Sequence, residues 1–160
     1  MRRNDATGNE LIIDRGAAAE KPSPEAITEW AADKRVFVSS VMAELREERE
    51  AAAEAIKEIG ATPVLFERFG GRDANPEQAY LSELETCQVY IGILGRRYGT
   101  VLPSRYSATH TEYLHAEKEG IRMALWALEV DDREGHEQSF LTEARSFYVV
   151  PTFSSTSRCA

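Results

Sequence analysis

The sequence predicts an α/β fold built on a parallel sheet with helices on both faces, and three observations predict it. Strand-forming runs alternate with longer, helix-like stretches five times between Arg35 and Phe153. Those runs are apolar throughout rather than every second residue, as strands covered on both faces are. Gly60, Gly95, Gly120 and Pro151 fall at the boundaries, where turns and stops belong.

The elements follow in order. Val36–Phe37–Val38 is a strand ending in Ser39–Ser40. A long helix follows, with Val41, Leu45, Ala52, Ile56 and Ile59 in one apolar stripe and Ser40 as the expected cap. Thr62–Phe66 is a second strand bounded by Gly70–Gly71. Asn75, Pro76 and Gln78 then supply an N-cap, an N1 proline and an N3 glutamine, with Tyr80, Leu84 and Cys87 facing inward. Val89–Leu94 is the third strand, and Gly95–Ala108 is a loop longer than most α/β connections. A short helix from about Thr109 to Glu119, a strand at Ile121–Leu128, and an acidic loop over Glu129–Glu137 come next. A helix carrying Phe140, Leu141 and Ala144 then precedes a fifth strand expected at Phe147–Val150. Five strands in this alternation most often form a flavodoxin-like three-layer sandwich of order 2-1-3-4-5. Residues 1–34 read as a flexible extension with a weak helical hint from Pro24 to Ala32, 35–153 as the α/β domain, and 154–160 as a polar tail.

Composition narrows the function. Asp and Glu number 27 against 19 Lys and Arg, a formal charge of −8 over 160 residues, which opposes nucleic-acid and anionic-membrane partners. No apolar run approaches the roughly 20 residues of a membrane span. Cys87 and Cys159 form neither a disulfide framework nor a metal motif, so a reducing cytoplasm is the expected setting. His110 and His115 are five apart, which splits them across a helix, and no metal is expected. Neither a G-x-x-x-x-G-K nor a G-x-G-x-x-G loop is present, and no cofactor is expected.

In a sheet of this order, ligands bind beyond the strand carboxyl ends where strand order reverses, between strands one and three. Ser39, Ser40 and the Gly95–Ala108 loop flank that point. The loop carries Arg96, Arg97 and Arg105, whose forks suit a phosphate or carboxylate. Glu48 and Arg49 fall on or beside the apolar stripe, where an ion pair with a snorkelling arginine stem accounts for them. Tyr98, Tyr106 and Tyr113 surround the loop, to stack on a base or to pack it. Glu112 opens the helix after the loop, where a carboxylate can serve as nucleophile or general base. The competing reading, which spacing alone favours, is a Thr109-x-x-Glu112 capping box. A Ser–His pair from Ser107 or Ser39 with His110 has no support beyond composition.

These residues together resemble the domain of unknown function 4062 family. The likeness is carried by Val36–Ser40, Glu44–Leu45, Glu48–Arg49, Tyr80–Leu84, Tyr90–Gly92, Gly95–Gly99 and Ser107-x-Thr109-x-x-Glu112–Tyr113, and runs from about Arg35 to Phe153. Val41 and Met42 stand where threonine and an aromatic are common in that family, which leaves Ser39 and Ser40 as the hydroxyl candidates. The resemblance implies a sensor, effector or assembly domain of the kind that precedes signalling NTPase modules, in defence signalling among other settings, with an NTPase domain or self-association as partner. The stretch from Ser107 to Arg122 is also distantly similar to nucleoside deoxyribosyltransferases, whose Thr-x-x-Glu glutamate attacks the anomeric carbon, and TIR-type NAD hydrolases place a glutamate near the same crevice. That likeness points to Glu112 as nucleophile on a nucleotide, nucleoside or NAD. It assigns Arg96 or Arg97 to phosphate, Ser39 to ribose and Tyr98 to the base, with Ser40, Gly95, Ser107 and Thr109 lining the ligand site. The alternative is a non-catalytic interaction or assembly module of a STAND-type NTPase system.

Overall fold

The computed structural model describes residues 20–68 and 76–155. Its five strands are β1 (Arg35–Ser39), β2 (Thr62–Val64), β3 (Val89–Leu94), β4 (Arg122–Leu128) and β5 (Thr152–Phe153). They form one parallel sheet in the order β2-β1-β3-β4-β5, the class and order the sequence predicts. The helices are α1 (Pro24–Ala31), α2 (Arg46–Glu58), α3 (Pro76–Glu85), α4 (Ala108–Lys118) and α5 (Gly135–Phe147), with a 3-10 turn at Phe66–Arg68.

Side chains alternate across each strand, so β3 feeds two cores. Tyr90 and Leu94 meet Leu84 of α3, Tyr113 and Ala116 of α4, and Phe140, Leu141 and Ala144 of α5. Val89 and Ile93 meet Ala31 of α1 and Ala53 and Ile56 of α2 on the other face. Three helices therefore cover one face and two the other.

Gly92 stands where β3 pairs with Ser39 of β1. A Cβ there would lie 2.5 Å from Leu125 Cδ2 and 2.9 Å from Tyr90 Cε1, so no side chain fits without movement. Gly92→Ala is expected to cost about 1–3 kcal/mol by overpacking. Denaturant unfolding checks this, and an unchanged midpoint would show that Leu125 and Tyr90 yield freely.

Several boundaries differ from the sequence reading, and β2 stops at Val64 because Phe66 already begins the 3-10 turn. The fifth strand follows Pro151 rather than preceding it: Phe147 ends α5, and Val149 is 91% exposed. Proline lacks an N–H but keeps its carbonyl, and Pro151 O accepts from Ala127 N at 3.0 Å, starting the β4–β5 ladder on an edge strand. Helix α2 begins at Arg46, not after Ser40, and Leu45 is its N-cap without a side-chain cap bond. Val41–Leu45 is a single turn closed by Leu45 N–H to Val41 O, so Ser40 caps nothing. Finally, Ser107 rather than Thr109 caps α4, accepting from His110 N at 3.2 Å. Ser107→Ala should therefore cost about 1 kcal/mol of unfolding free energy. Thr109→Ala should leave the cap intact, and equal losses from the two would contradict the assignment. The expected cap Asn75 and the Gly70–Gly71 stop lie outside the described residues.

Candidate functional site

The strand order reverses between β1 and β3, and at the end of β1 a small cleft opens, bounded by α2, α3 and α4. Ser39 ends β1 and is 1% exposed; Glu112, in the second turn of α4, is 7% exposed. The Ser39 hydroxyl donates to Glu112 Oε2 across 73 residues of chain. Glu112 thus reaches the sheet and does not turn back to Thr109, so the capping-box reading fails. Its carboxyl is pushed up to about 7, chiefly by burial, against the Ser39 hydrogen bond and the Arg49 charge, with Glu67 raising it further. The cleft has a volume of about 110 Å³ and is lined by Ser40, Met42, Arg49, Tyr80, Thr109 and Glu112, together with Val38, Phe66 and Ala108. The Tyr80 hydroxyl is buried and finds no hydrogen-bond partner among the described residues.

Arg49 is the cationic side chain of this cleft among the described residues. It is 2% exposed and forks onto Glu67, with Nε to Oε1 at 3.0 Å and Nη2 to Oε2 at 2.6 Å. Its Nη1 donates to Ser40 Oγ at 3.0 Å and Val38 O at 3.3 Å, tying the end of β1 to α2. The sequence reading took Arg49 as a snorkelling surface ion pair; the pair exists, but its guanidinium is buried in the site. Arg49 sits four residues from Leu45 and seven from Ile56, on the buried stripe of α2, and an arginine on such a stripe is the signal that was available.

The loop after β3 goes elsewhere. Arg96 N and Arg97 N both donate to the Glu44 carboxylate, at 2.6 and 3.0 Å, and Tyr98 N donates to Glu134 Oε2 at 3.0 Å. The protein's own acids occupy the backbone donors there. Gly95 permits this approach, since a Cβ on it would fall 2.7 Å from the Glu44 carboxylate oxygens. Glu137, 2% exposed behind the same loop, has its carboxyl raised to about 8, mainly by burial, against Arg133 and the Gly95 backbone. The Arg96 guanidinium pairs with Asp132 at 2.9 Å and is about half exposed, and neither Arg96 nor Arg97 lines the cleft. Glu44 belongs to the Glu44–Leu45 motif of the family resemblance, but no spacing showed its role as a clamp on the β3 loop.

Tyr98 is a core residue, 6% exposed. Its hydroxyl lies 2.7 Å from His110 Nδ1, while His110 Nε2 lies 2.9 Å from Glu143 Oε2. An ionised carboxylate has no proton to give, so Nε2 donates and Nδ1 accepts from Tyr98. Burial lowers the His110 pKa, with Glu143 opposing, and the ring stacks on Phe140 at 4.1 Å. Both ring nitrogens are engaged, so His110 forms no side-chain pair with Ser39 or Ser107. Of the residues singled out beforehand, the structure therefore brings Ser40, Thr109 and Glu112 into the lining of the cleft, with Ser39 hydrogen-bonded to Glu112. Gly95, Arg96, Arg97 and Tyr98 belong to the clamped loop, and Ser107 to the cap.

Two other features lie outside this cleft. Glu85, His115 and Glu119 bring three donor atoms within 4.8 Å of one another at the ends of α3 and α4. Glu85 and His115 already form a 2.9 Å pair, and spacing along the chain cannot show a cluster that draws on two helices. An apolar groove of about 480 Å³ runs between α2 and the sheet, walled by Ala52, Ala55, Ile59, Ile91, Trp126 and Phe153. It is larger than the cleft, but Glu48 and Ser154 are the polar residues in an otherwise apolar lining, so the smaller cleft is the better candidate for chemistry. No helix among the described residues is long and apolar enough to cross a membrane.

With this geometry in view, the chain can be set beside known proteins. No curated protein matches it. Among solved structures, it is similar to the TIR domains in the structure of the activated Roq1 resistosome directly recognizing the pathogen effector XopQ. That likeness has 13% identity and a TM-score of 0.51, and covers 71% of this chain and 72% of that one. At that identity the likeness establishes a shared TIR-like α/β fold. The model of a family described as "Domain of unknown function (DUF4062)" matches residues 35–151, from the first residue of β1 to the proline that opens β5. This chain belongs to the DUF4062 family.

Proposed function

We propose that this is a signalling or effector-type domain that binds a nucleoside or nucleotide at the β1–β3 crevice and cleaves its N-glycosidic bond, with Glu112 as nucleophile. The buried Glu112–Ser39 pair, with Glu112 lining a cleft at the end of β1, is the observation that carries this reading. Burial holds the carboxyl near neutrality, where enough of it is ionised to attack while the apolar surroundings leave the carboxylate poorly solvated and reactive. One Glu112 oxygen bonds to the anomeric carbon as the C–N bond breaks. The bond's electron pair leaves with the base, which takes a proton from solvent. Water then hydrolyses the glycosyl ester, returning Glu112 and releasing the sugar and a proton. Ser39 donates to Glu112 Oε2 and keeps the carboxylate aimed, leaving Oε1 to attack.

The open apolar groove beside α2 favours a second reading, a non-catalytic assembly module acting with an NTPase domain or with itself. Base release measured by chromatography from nucleosides, nucleotides and NAD, at high protein concentration, separates the two. Product from the wild type establishes the first, and its absence leaves the second.

A further inference from the structure

The charge and size of the cleft deepen that reading to a substrate class. We propose that the cleft takes an uncharged pentose ring, so that the domain acts on nucleosides in preference to their 5′-phosphates; this rests on the glycosidic-bond reading above.

Size comes first. Sites that enclose a whole drug-sized ligand run to about 300–1,000 Å³, and this cleft has about 110 Å³. One sugar ring is therefore the part enclosed, and the base stays at the mouth, where Met42 lines the cleft and is 42% exposed.

Charge comes second. A phosphate needs a cation with free donors, and Arg49 has committed four of its five N–H groups within the protein. Both Nε and Nη2 serve Glu67, and Nη1 serves Ser40 and Val38. The forked carboxylate also cancels its charge. Arg96, the loop arginine whose side chain is fixed, is turned to Asp132. A phosphate carrying about −1.5 to −2 beside the cleft would instead face Glu112, which the Glu67 charge already disfavours as an anion.

Hydrogen bonding comes third. A sugar hydroxyl both donates and accepts, so it satisfies Glu112 in either protonation state, the Ser40 hydroxyl, and the unpartnered Tyr80 hydroxyl. A dianionic phosphate can only accept, so it pairs with protonated Glu112 and offers the ionised carboxylate nothing.

The test compares base release from matched nucleoside and nucleoside 5′-monophosphate pairs, in wild type and in Glu67→Gln. The wild type is expected to favour nucleosides at least tenfold in kcat/KM. Glu67→Gln unmasks the Arg49 charge and is expected to shrink that ratio, a change that mere loss of stability would not produce. Equal or better turnover of monophosphates would overturn this inference while leaving the glycosidic-bond reading standing. A nucleoside preference unmoved by Glu67→Gln would overturn its charge basis. Release from neither substrate class would overturn both.

Discussion

Glu112→Gln will reduce base release on the order of a thousandfold or more, because a carboxamide cannot supply the attacking oxygen. The same variant will remain folded, and its stability will carry a pH signature. Burial raises the folded-state pKa of Glu112 to about 7 from an ordinary 4.5. Between those values the folded protein keeps a proton that the unfolded chain has released, so wild-type stability falls as pH rises through that window. Glutamine does not titrate. The unfolding free energy of the variant minus that of the wild type should therefore grow by about 3 kcal/mol from pH 4 to pH 8, from 1.36 kcal/mol per pKa unit. Glu137, also raised, cancels in the subtraction because it is present in both proteins. Denaturant unfolding at four or five pH values checks this. A flat difference would mean that Glu112 is hydrated in solution, and retained base release would remove it as nucleophile.

Arg49→Ala has the largest effect expected on stability, roughly 3 kcal/mol. Removing the guanidinium strips Glu67 of its bidentate partner and leaves Ser40 Oγ and Val38 O without their donor, next to a cavity in a 2%-exposed position. Glu67 is 34% exposed and regains some hydration, which keeps the loss at the lower end of the range for buried pairs. Arg49→Lys separates charge from shape. An ammonium keeps the charge but cannot fork onto Glu67 while reaching Ser40, so it should recover only part of the loss. Full rescue by lysine would show that charge alone holds the end of β1 in place.

The site was partly legible beforehand, and the residues show where legibility stops. Ser39, Ser40 and Glu112 were found because topology alone dictates where such a sheet binds ligands, and each lies just past a strand end or at a helix start. Spacing alone left two readings of Glu112 open, because Thr109-x-x-Glu112 satisfies the spacing of a capping box equally well. Only the hydrogen bond to Ser39, 73 residues away in the chain, removes the capping reading. Arg96 and Arg97 drew attention as a local excess of positive charge. Their backbone amides turn out to matter more than their side chains, since Glu44 and Glu134 hold the loop by main-chain N–H groups that carry no sequence signature.

Local chemistry and hydrophobic patterning therefore determined the fold class: apolar strands, amphipathic helices, glycine stops and a crossover alternation point to a parallel sheet, most often in this order, although they set the fifth strand before Pro151 instead of after it. Those signals depend on neighbours a few residues apart, and a single chain displays them in full. Tertiary structure alone decided which polar groups meet. It set Glu112 against Ser39 and folded Arg49 inward onto Glu67. It also filled the β3 loop with the protein's own carboxylates. Such contacts join residues as far as 73 positions apart, and their energies come from burial and desolvation, which exist only once the chain has closed around them.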